Sequence, residues 1–283
     1  MGENLHNHVS FTLPFTINRP NEFDLSWPSL LEYIAFTKGP IASTGLSQLT
    51  GIVSSIYTSE DDPDLQIFFG GYQAACATTG QLGALMDGGG RHVSISPTNL
   101  HPRSRGTIPL PFSPPLQTHP LSLSLFSGSL RLASNDPFAK PVIHGNYLSD
   151  PMDEAVLLHG IRIALSLSNT SALARYNMTL ANPPLPACSQ HTYLSDDYWR
   201  CAMRQDTGPE NHQAGSCKMG PVSDRMAVVD PRLRVHGVDG LRVADTSIMP
   251  KVFIINNMLY YIIYIILNNN LANIVVENIY ILY

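Results

Sequence analysis

The chain has 283 residues, a formal net charge of −5 and only 14% charged residues. This length suits one large domain or two small ones and is sufficient to bury a sizeable core. Because no run of Lys or Arg is present, we do not expect a nucleic-acid partner.

Patterns of polarity predict the elements in chain order. Strands are predicted within residues 9–17, 64–69, 92–96, 130–133, 142–147, 228–229 and 241–244. Helices are predicted over residues 27–36, from Asp150 onward and from Ser195 onward, and the Gly-rich residues 70–90 are predicted to be a loop. Strands and helices with few βαβ units indicate an α+β fold class.

The clearest predicted helix begins at Asp150-Pro151. Asp150 is a good N-cap residue, Pro151 suits the first helical position, and Asp153 and Glu154 favour the positive end of a helix. An apolar face then follows at helical period, formed by Val156, Leu157, Ile161, Ala164 and Leu165.

Two segments have a composition that is unusual for a folded protein. Residues 108–127 are mostly Pro, Leu, Ser and Phe, and residues 252–283 contain no Gly, Pro, Ser, Thr, Lys, Arg, His or Asp. We interpret both as aberrant, translated intron: the first as an insertion, the second as an apolar tail. The alternatives are a proline-rich loop and a membrane anchor. A membrane span needs about 20 apolar residues, and Asn256-Asn257 interrupts the tail, so no membrane partner is expected.

The cysteines and the chain start bear on metal binding and on cellular location. Neither CxxC spacing nor zinc-finger spacing to a His occurs at Cys76, Cys188, Cys201 or Cys217, so no metal site is expected. Cys188 and Cys201 could form a disulfide in a secreted protein, which the sequons at Asn169 and Asn177 would also suit. The polar start MGENLHNHVSFTLP predicts no signal peptide, so the location stays open.

Two polar residues are candidates for chemistry. His212 is surrounded by small residues that leave room for a ligand, and His is the usual general base near neutral pH. A lone His is also common as a loop or core residue. Asp245 ends the short apolar stretch 240–244, where it could contact a ligand or act as the N-cap of a following helix.

Several motifs occur in an order typical of one family. They are GENLHNH at 2–8, DPMD at 150–153, DYW at 197–199, NHQAGSCKMG at 211–220 and AVVDPRLRVHGVDGLRVADTSIMP at 227–250. Over residues 1–107 and 128–251 the chain resembles the glucose–methanol–choline (GMC) oxidoreductases. The resemblance is greatest to the insect branch of FAD-dependent glucose dehydrogenases.

The resemblance implies an FAD-dependent enzyme that oxidises the CH–OH group of a small sugar or alcohol. It implies that His212 is the general base, that hydride passes to the flavin, and that Asp245 contacts the ribityl–pyrophosphate region of FAD. His236, His6 and His8 are expected to be structural. Asn256 falls where the family has a second catalytic His or Asn, but we interpret this as a chance match because Asn is frequent in the tail.

The resemblance also implies an architecture. Residues 1–220 would form the substrate-binding domain, an antiparallel sheet covered by helices, and residues 221–251 would return to the FAD-binding domain. Because no GxGxxG follows a predicted strand, we expect the family's N-terminal flavin domain, with its Gly-rich turn, to be missing. The alternative function is therefore a non-catalytic fragment or pseudoenzyme. Full-length relatives are expected to be secreted.

Overall fold

The computed structural model describes residues 1–18, 27–42, 49–71, 91–105, 129–136 and 138–252. Residues 108–127, the tail beyond residue 252 and most of the Gly-rich loop lie outside the described residues. Two compact units divide the chain. The first takes in the described parts of Met1–Val9, Leu100–Glu154 and Pro209–Tyr283, and the second takes in those of Ser10–Asn99 and Ala155–Gly208. The predicted domain division at residue 220 stays a prediction.

An antiparallel sheet forms the centre of the second unit. Its order is β3-β4-β5-β1-β9, with β2 paired to β5 and β8 paired to β2. In register, Leu13 of β2 faces Ile95 of β5. The strands are β1 (Val9–Ser10), β2 (Leu13–Ile17), β3 (Leu49–Val53), β4 (Leu65–Gly70), β5 (Arg91–Asn99), β8 (Thr179–Leu180) and β9 (Gly208–Pro209).

Four α-helices lie among the described residues. They are α1 (Trp27–Phe36), α2 (Pro151–Ser168), α3 (Ser171–Ala174) and α4 (Asp196–Asp206), with short 3₁₀ helices at Pro40–Ala42 and Pro186–Cys188. The side chains of Leu157 and Ile161 on α2 are fully buried. A Cβ atom at Gly160 would lie 2.6 Å from Pro97 Cβ and 3.1 Å from Leu65 Cδ2, so the α2 backbone packs directly on β4 and β5.

Side-chain caps begin the two long helices, as predicted. Asp150 Oδ1 accepts a hydrogen bond from Met152 N at 2.8 Å, and Ser195 Oγ accepts from Tyr198 N at 3.2 Å. Helix α4 then buries Tyr198 and Trp199, whose rings meet edge to face with centroids 5.2 Å apart. The predicted Cys188–Cys201 disulfide is present and joins α4 to the 3₁₀ helix before it.

The first unit has less regular structure. A hairpin of β6 (Ser129–Arg131) and β7 (Val142–His144) is followed, after residue 209, by loops and a 3₁₀ helix at Thr246–Ile248. These loops close over a small apolar core of Ala214, Val229, Leu233, Ala244, Ile248, Met249 and Val252. No helix among the described residues is long and apolar enough to span a membrane.

The predicted elements agree with the structure in part: besides the differences given below, helix α3 and the short strands β8 and β9 were not predicted. The helix at Trp27–Phe36 has the predicted bounds, and the α+β class with an antiparallel sheet is confirmed. Strand β3 was not predicted. The strands predicted at 228–229 and 241–244 are wrong, because those residues form single bridges, Val229↔Val235 and Arg234↔Arg242. The chain turns between them at Gly237 and Gly240, both at positive φ, and no ladder can extend.

Candidate functional site

The start of the chain runs antiparallel to the loop that carries His212. We call residues 2–8 and 210–216 together the histidine site. Asn4 Nδ2 also donates to Gly215 O at 3.3 Å. The backbone hydrogen bonds between the segments run from Gly2 N to Ser216 O (2.7 Å), His6 N to Ala214 O (3.1 Å), Ala214 N to His6 O (2.9 Å) and Glu210 N to His8 O (3.0 Å).

Asn7 fixes the backbone at His212. Its Oδ1 accepts a hydrogen bond from His212 N at 2.9 Å, and its Nδ2 donates to Tyr147 Oη at 3.4 Å. The preceding Asn211 has a φ of 57°, a left-handed conformation that Asn adopts more readily than most residues. The polar side chain of Asn7 and the backbone of Asn211 therefore determine the direction in which His212 leaves the loop.

His8 contacts the imidazole of His212. The two Nδ1 atoms are 3.1 Å apart, and the rings meet edge to face with centroids 5.2 Å apart. Because a hydrogen bond needs one donor and one acceptor, one Nδ1 carries a proton and the other does not. With the proton on His212 Nδ1, the lone pair of His212 Nε2 is available, and this atom makes no hydrogen bond to the described residues.

Burial keeps these histidines neutral. It lowers the pKa of His212, and the negative charge of Glu210 only partly opposes this. It lowers the pKa of His8 to about 4, with a further contribution from His212, and that of His6 to about 4, with a further contribution from Arg105. Near neutral pH the histidine site therefore holds His212 as an uncharged imidazole, which is the form that can accept a proton.

The 3₁₀ helix Thr246–Ile248 supports the other side of the His212 loop. Thr246 Oγ1 donates to Gln213 O at 2.7 Å. Three backbone hydrogen bonds also join the His212 loop to this 3₁₀ helix. They run from Gly215 N to Thr246 O (3.3 Å), Cys217 N to Ser247 O (2.8 Å) and Met219 N to Ile248 O (2.7 Å). The loop is thus bonded on both sides, which limits the movement of His212.

Asp245 caps that 3₁₀ helix. Its Oδ1 accepts from Ser247 N at 2.7 Å, which is the capping role that the sequence left open. Its Oδ2 makes no hydrogen bond to the described residues, and the residue is partly exposed. One carboxylate oxygen is therefore engaged in structure and the other is free to accept from a ligand. His212 and Asp245 lie in the same unit and are connected through Gln213 and Thr246.

Gly215 is required by the close approach of the two segments. Its φ is +92°, and a Cβ atom there would lie 2.4 Å from His6 Cε1 and 2.5 Å from Asn4 O. A side chain at this position would push the chain start away from the loop. The small residues that follow His212 in the sequence therefore make room for the chain's own segment as well as for a ligand.

The structure assigns different surroundings to the predicted residues. The side chain of His236 contacts the loop backbone, because its Nε2 donates a hydrogen bond to Gly220 O at 3.0 Å, which supports a structural role. Asn256 lies outside the described residues.

Among the described residues no group of three or more His, Cys, Asp or Glu could hold a metal ion. His8, which was expected to be structural, lies against His212, and Asn7 was not singled out, although both belong to the motif at 2–8, where a run of polar side chains was the available signal.

Comparison with known proteins identifies the family. A model described as GMC oxidoreductase matches residues 125–264. Glucose dehydrogenase (FAD, quinone) from Drosophila pseudoobscura pseudoobscura is 46% identical over 253 residues, which is 89% of this chain and 37% of that protein. The chain belongs to the GMC oxidoreductase family. Oxygen-dependent choline dehydrogenase from Rhizobium etli (strain CIAT 652) is 40% identical over 131 residues. This match takes in 46% of this GMC chain and 23% of the choline dehydrogenase.

Solved structures agree on the fold. An FAD-dependent oxidoreductase from Chaetomium thermophilum superposes with a TM-score of 0.69 at 17% identity, over 95% of this chain and 48% of that one. Pyridoxine 4-oxidase from Mesorbium loti gives a TM-score of 0.62 at 19% identity, over 94% and 42%. This GMC sequence thus spans 37% of the length of the Drosophila relative and less than half of either structure.

Proposed function

We propose that this sequence supplies the general base of an FAD-dependent oxidoreductase that acts on the CH–OH group of a sugar or alcohol. The observation that carries the proposal is the neutral His212, with Nδ1 bonded to His8 and Nε2 free. The names of two relatives, glucose dehydrogenase and choline dehydrogenase, refer to compounds that carry hydroxyl groups. In this proposal a flavin domain of the kind that the family resemblance implies completes the enzyme.

In this proposal His212 Nε2 accepts the proton of the substrate hydroxyl. An alcohol is a poor hydride donor and its alkoxide is a far better one, so a positioned base contributes about 10²–10⁴-fold to the rate. His8 accepts from His212 Nδ1–H, which holds the tautomer in which Nε2 is basic. This hydrogen bond strengthens when His212 becomes charged, because hydrogen bonds from ionised donors are stronger. Bound FAD would take up the hydride that leaves the carbinol carbon.

Asp245 would hold part of the cofactor. Its Oδ2 is free among the described residues and can accept from a hydroxyl of the ribityl–pyrophosphate region. Its Oδ1 remains bonded to Ser247 N, so the carboxylate keeps one orientation while the other oxygen binds. This supports the assignment of Asp245 as a cofactor-binding residue.

The test compares two histidine variants of the longer protein that carries this sequence, produced with FAD. Reduction of a quinone dye is followed with a panel of sugars and alcohols. We expect His212→Gln to lose about 10²–10⁴-fold in kcat. His236→Gln is the matched control, because it removes a histidine of the same unit that contacts only the backbone, and it should keep most of the activity. If His212→Gln retains wild-type kcat, His212 is not the base.

His8 is tested as a positioning residue. We expect His8→Leu to lose roughly 10–100-fold in kcat, the equivalent of a hydrogen bond to a charged group. His8→Gln should recover part of that loss, because its Oε1 can accept from His212 Nδ1–H. Since the pKa of His212 is lowered by burial, the rate should fall only at a pH below the ordinary His value of 6.5. The His8→Leu variant should shift this acid limb, which a merely structural effect would not do.

The second candidate function is a non-catalytic fragment or pseudoenzyme. It is favoured by the 37% share of the Drosophila relative that this chain spans. The 283-residue chain itself can be mixed with FAD and passed through gel filtration. Flavin that elutes separately would assign the non-catalytic function to this chain, while the variants of the longer protein still test His212.

A further inference from the structure

Two sequons lie in the second unit, with their Asn residues on either side of α3. Asn169-Thr170-Ser171 follows α2, and Asn177-Met178-Thr179 leads into β8. Both Asn residues and the hydroxyl residue two positions after each are exposed. Neither sequon contains Pro at its middle position, so both satisfy the rule for N-glycosylation acceptors.

Asn177 is the better presented of the two acceptors. Its φ is 46°, and its backbone N–H donates to Ala174 O at 3.0 Å, which places it in a tight turn. A hydrogen bond from Asn18 N to Tyr176 O at 2.9 Å fixes the turn to the end of β2. The Asn177 amide makes no hydrogen bond to the described residues, whereas Asn169 Nδ2 donates to Leu165 O at 3.0 Å.

The two residues that flank Asn177 point into the protein, whereas Asn177 faces solvent. Tyr176 and Met178 line an apolar cavity of about 220 Å³, together with Leu173 and residues of β2 to β5. Asn177 itself is exposed. Tyr176 and Met178 thus anchor the turn in the cavity, while the side-chain amide of Asn177 between them stays accessible. A large group attached to Asn177 would therefore not disturb the packing.

The Cys188–Cys201 disulfide is an independent observation from the same unit. Disulfides form and persist in oxidising compartments, including the lumen of the endoplasmic reticulum, and are rare in the cytosol. N-glycosylation of the Asn-X-Ser/Thr sequence occurs in that same lumen. A chain that acquires this disulfide by the secretory route therefore passes the enzyme that recognises its sequons.

We propose that Asn177 carries an N-linked glycan. The donor is a lipid-pyrophosphate-linked oligosaccharide. A bond forms between Asn177 Nδ2 and the anomeric carbon of the sugar, the bond from that carbon to the pyrophosphate oxygen breaks, and one proton leaves Nδ2. The lipid pyrophosphate is the leaving group, and nothing is oxidised or reduced. The hydroxyl of Thr179 completes the acceptor sequence.

The test uses the full 283-residue chain, secreted from eukaryotic cells behind an added signal peptide. Peptide mapping before and after an amidase that removes N-linked glycans decides the question on the wild-type chain alone. We expect the peptide with residue 177 to lose the mass of the glycan and to carry Asp in place of Asn. An unmodified Asn177, whether or not Asn169 carries a glycan, overturns the proposal.

Two variants provide a matched pair that leaves Asn177 in place. Thr179→Ser keeps the sequon and should keep the glycan, whereas Thr179→Ala destroys the sequon and should abolish it. Both remove the same methyl group from an exposed position, so they differ only in the hydroxyl. A glycan that persists on residue 177 in Thr179→Ala would mean that the attachment is not N-linked sequon chemistry, and this too would overturn the proposal.

Discussion

Replacing Gly215 with Ala tests whether the two segments of the histidine site must touch. The residue has a φ of +92°, and an added Cβ would meet His6 Cε1 at 2.4 Å and Asn4 O at 2.5 Å. An L-residue in the left-handed region costs about 1–2 kcal/mol. Overpacking against a buried ring and a backbone carbonyl adds about 1–3 kcal/mol. We therefore expect Gly215→Ala to lower the free energy of unfolding by roughly 2–5 kcal/mol.

The control is Gly237→Ala, which carries the same backbone strain without the contact. Gly237 has a φ of +77°, and nothing lies within 4 Å of the position that an added Cβ atom would take. Its expected cost is only about 1–2 kcal/mol. The difference between the two variants, about 1–3 kcal/mol, measures the approach of residues 4–6 to the His212 loop. Equilibrium unfolding in urea gives both values, provided that the slopes of the transitions agree. Equal destabilisation by the two substitutions would refute this account.

Three further perturbations follow from the structure. Acidification from pH 6.5 toward 4 should destabilise the chain, because burial lowers the pKa of His8 to about 4 and the unfolded chain binds that proton first. The contribution of His8, roughly 3 kcal/mol, is present above pH 6.5 and lost as the pH falls; unfolding of His8→Gln should depend less on pH. Reduction of Cys188–Cys201, 13 residues apart, should cost about 3 kcal/mol, and identical melting with and without reductant would contradict this. Trp199→Ala, which removes a side chain only 1% exposed, should cost about 3–5 kcal/mol in urea unfolding. The same change at Trp27, which is 72% exposed, should fall within about 0.5 kcal/mol.

Elements with local signals could be predicted from the sequence. Helices α2 and α4 begin at the caps Asp150 and Ser195, whose bonds reach only two or three residues along the chain. Strand β3 could not be predicted, because LTGIV contains Gly and its side chains do not alternate between buried and exposed. Its position depends instead on its pairing with β4.

The candidate site was predictable only in part. His212 and Asp245 lie in motifs that resemble those of the GMC oxidoreductases, so they could be named as candidate site residues without a three-dimensional structure. The role of His8 depends on an atom 204 residues further along the chain, and no local pattern reports such a contact. For the same reason Asn7 was not recognised, since its partner His212 N is 205 residues away.

The order in which the chain is synthesised gives this separation a consequence for folding. Residues 2–8 are synthesised before their partners at 210–216, which emerge about 200 residues later. Until then the buried histidines and asparagines of the chain start have no hydrogen-bonding partners in the loop and stay in water. The site closes in a late step with high contact order, for which the entropy of a long loop must be lost at once. A chain that stops between residues 216 and 246 would therefore contain every sheet strand and His212, but it would lack the 3₁₀ helix Thr246–Ile248 that supports the other side of the His212 loop.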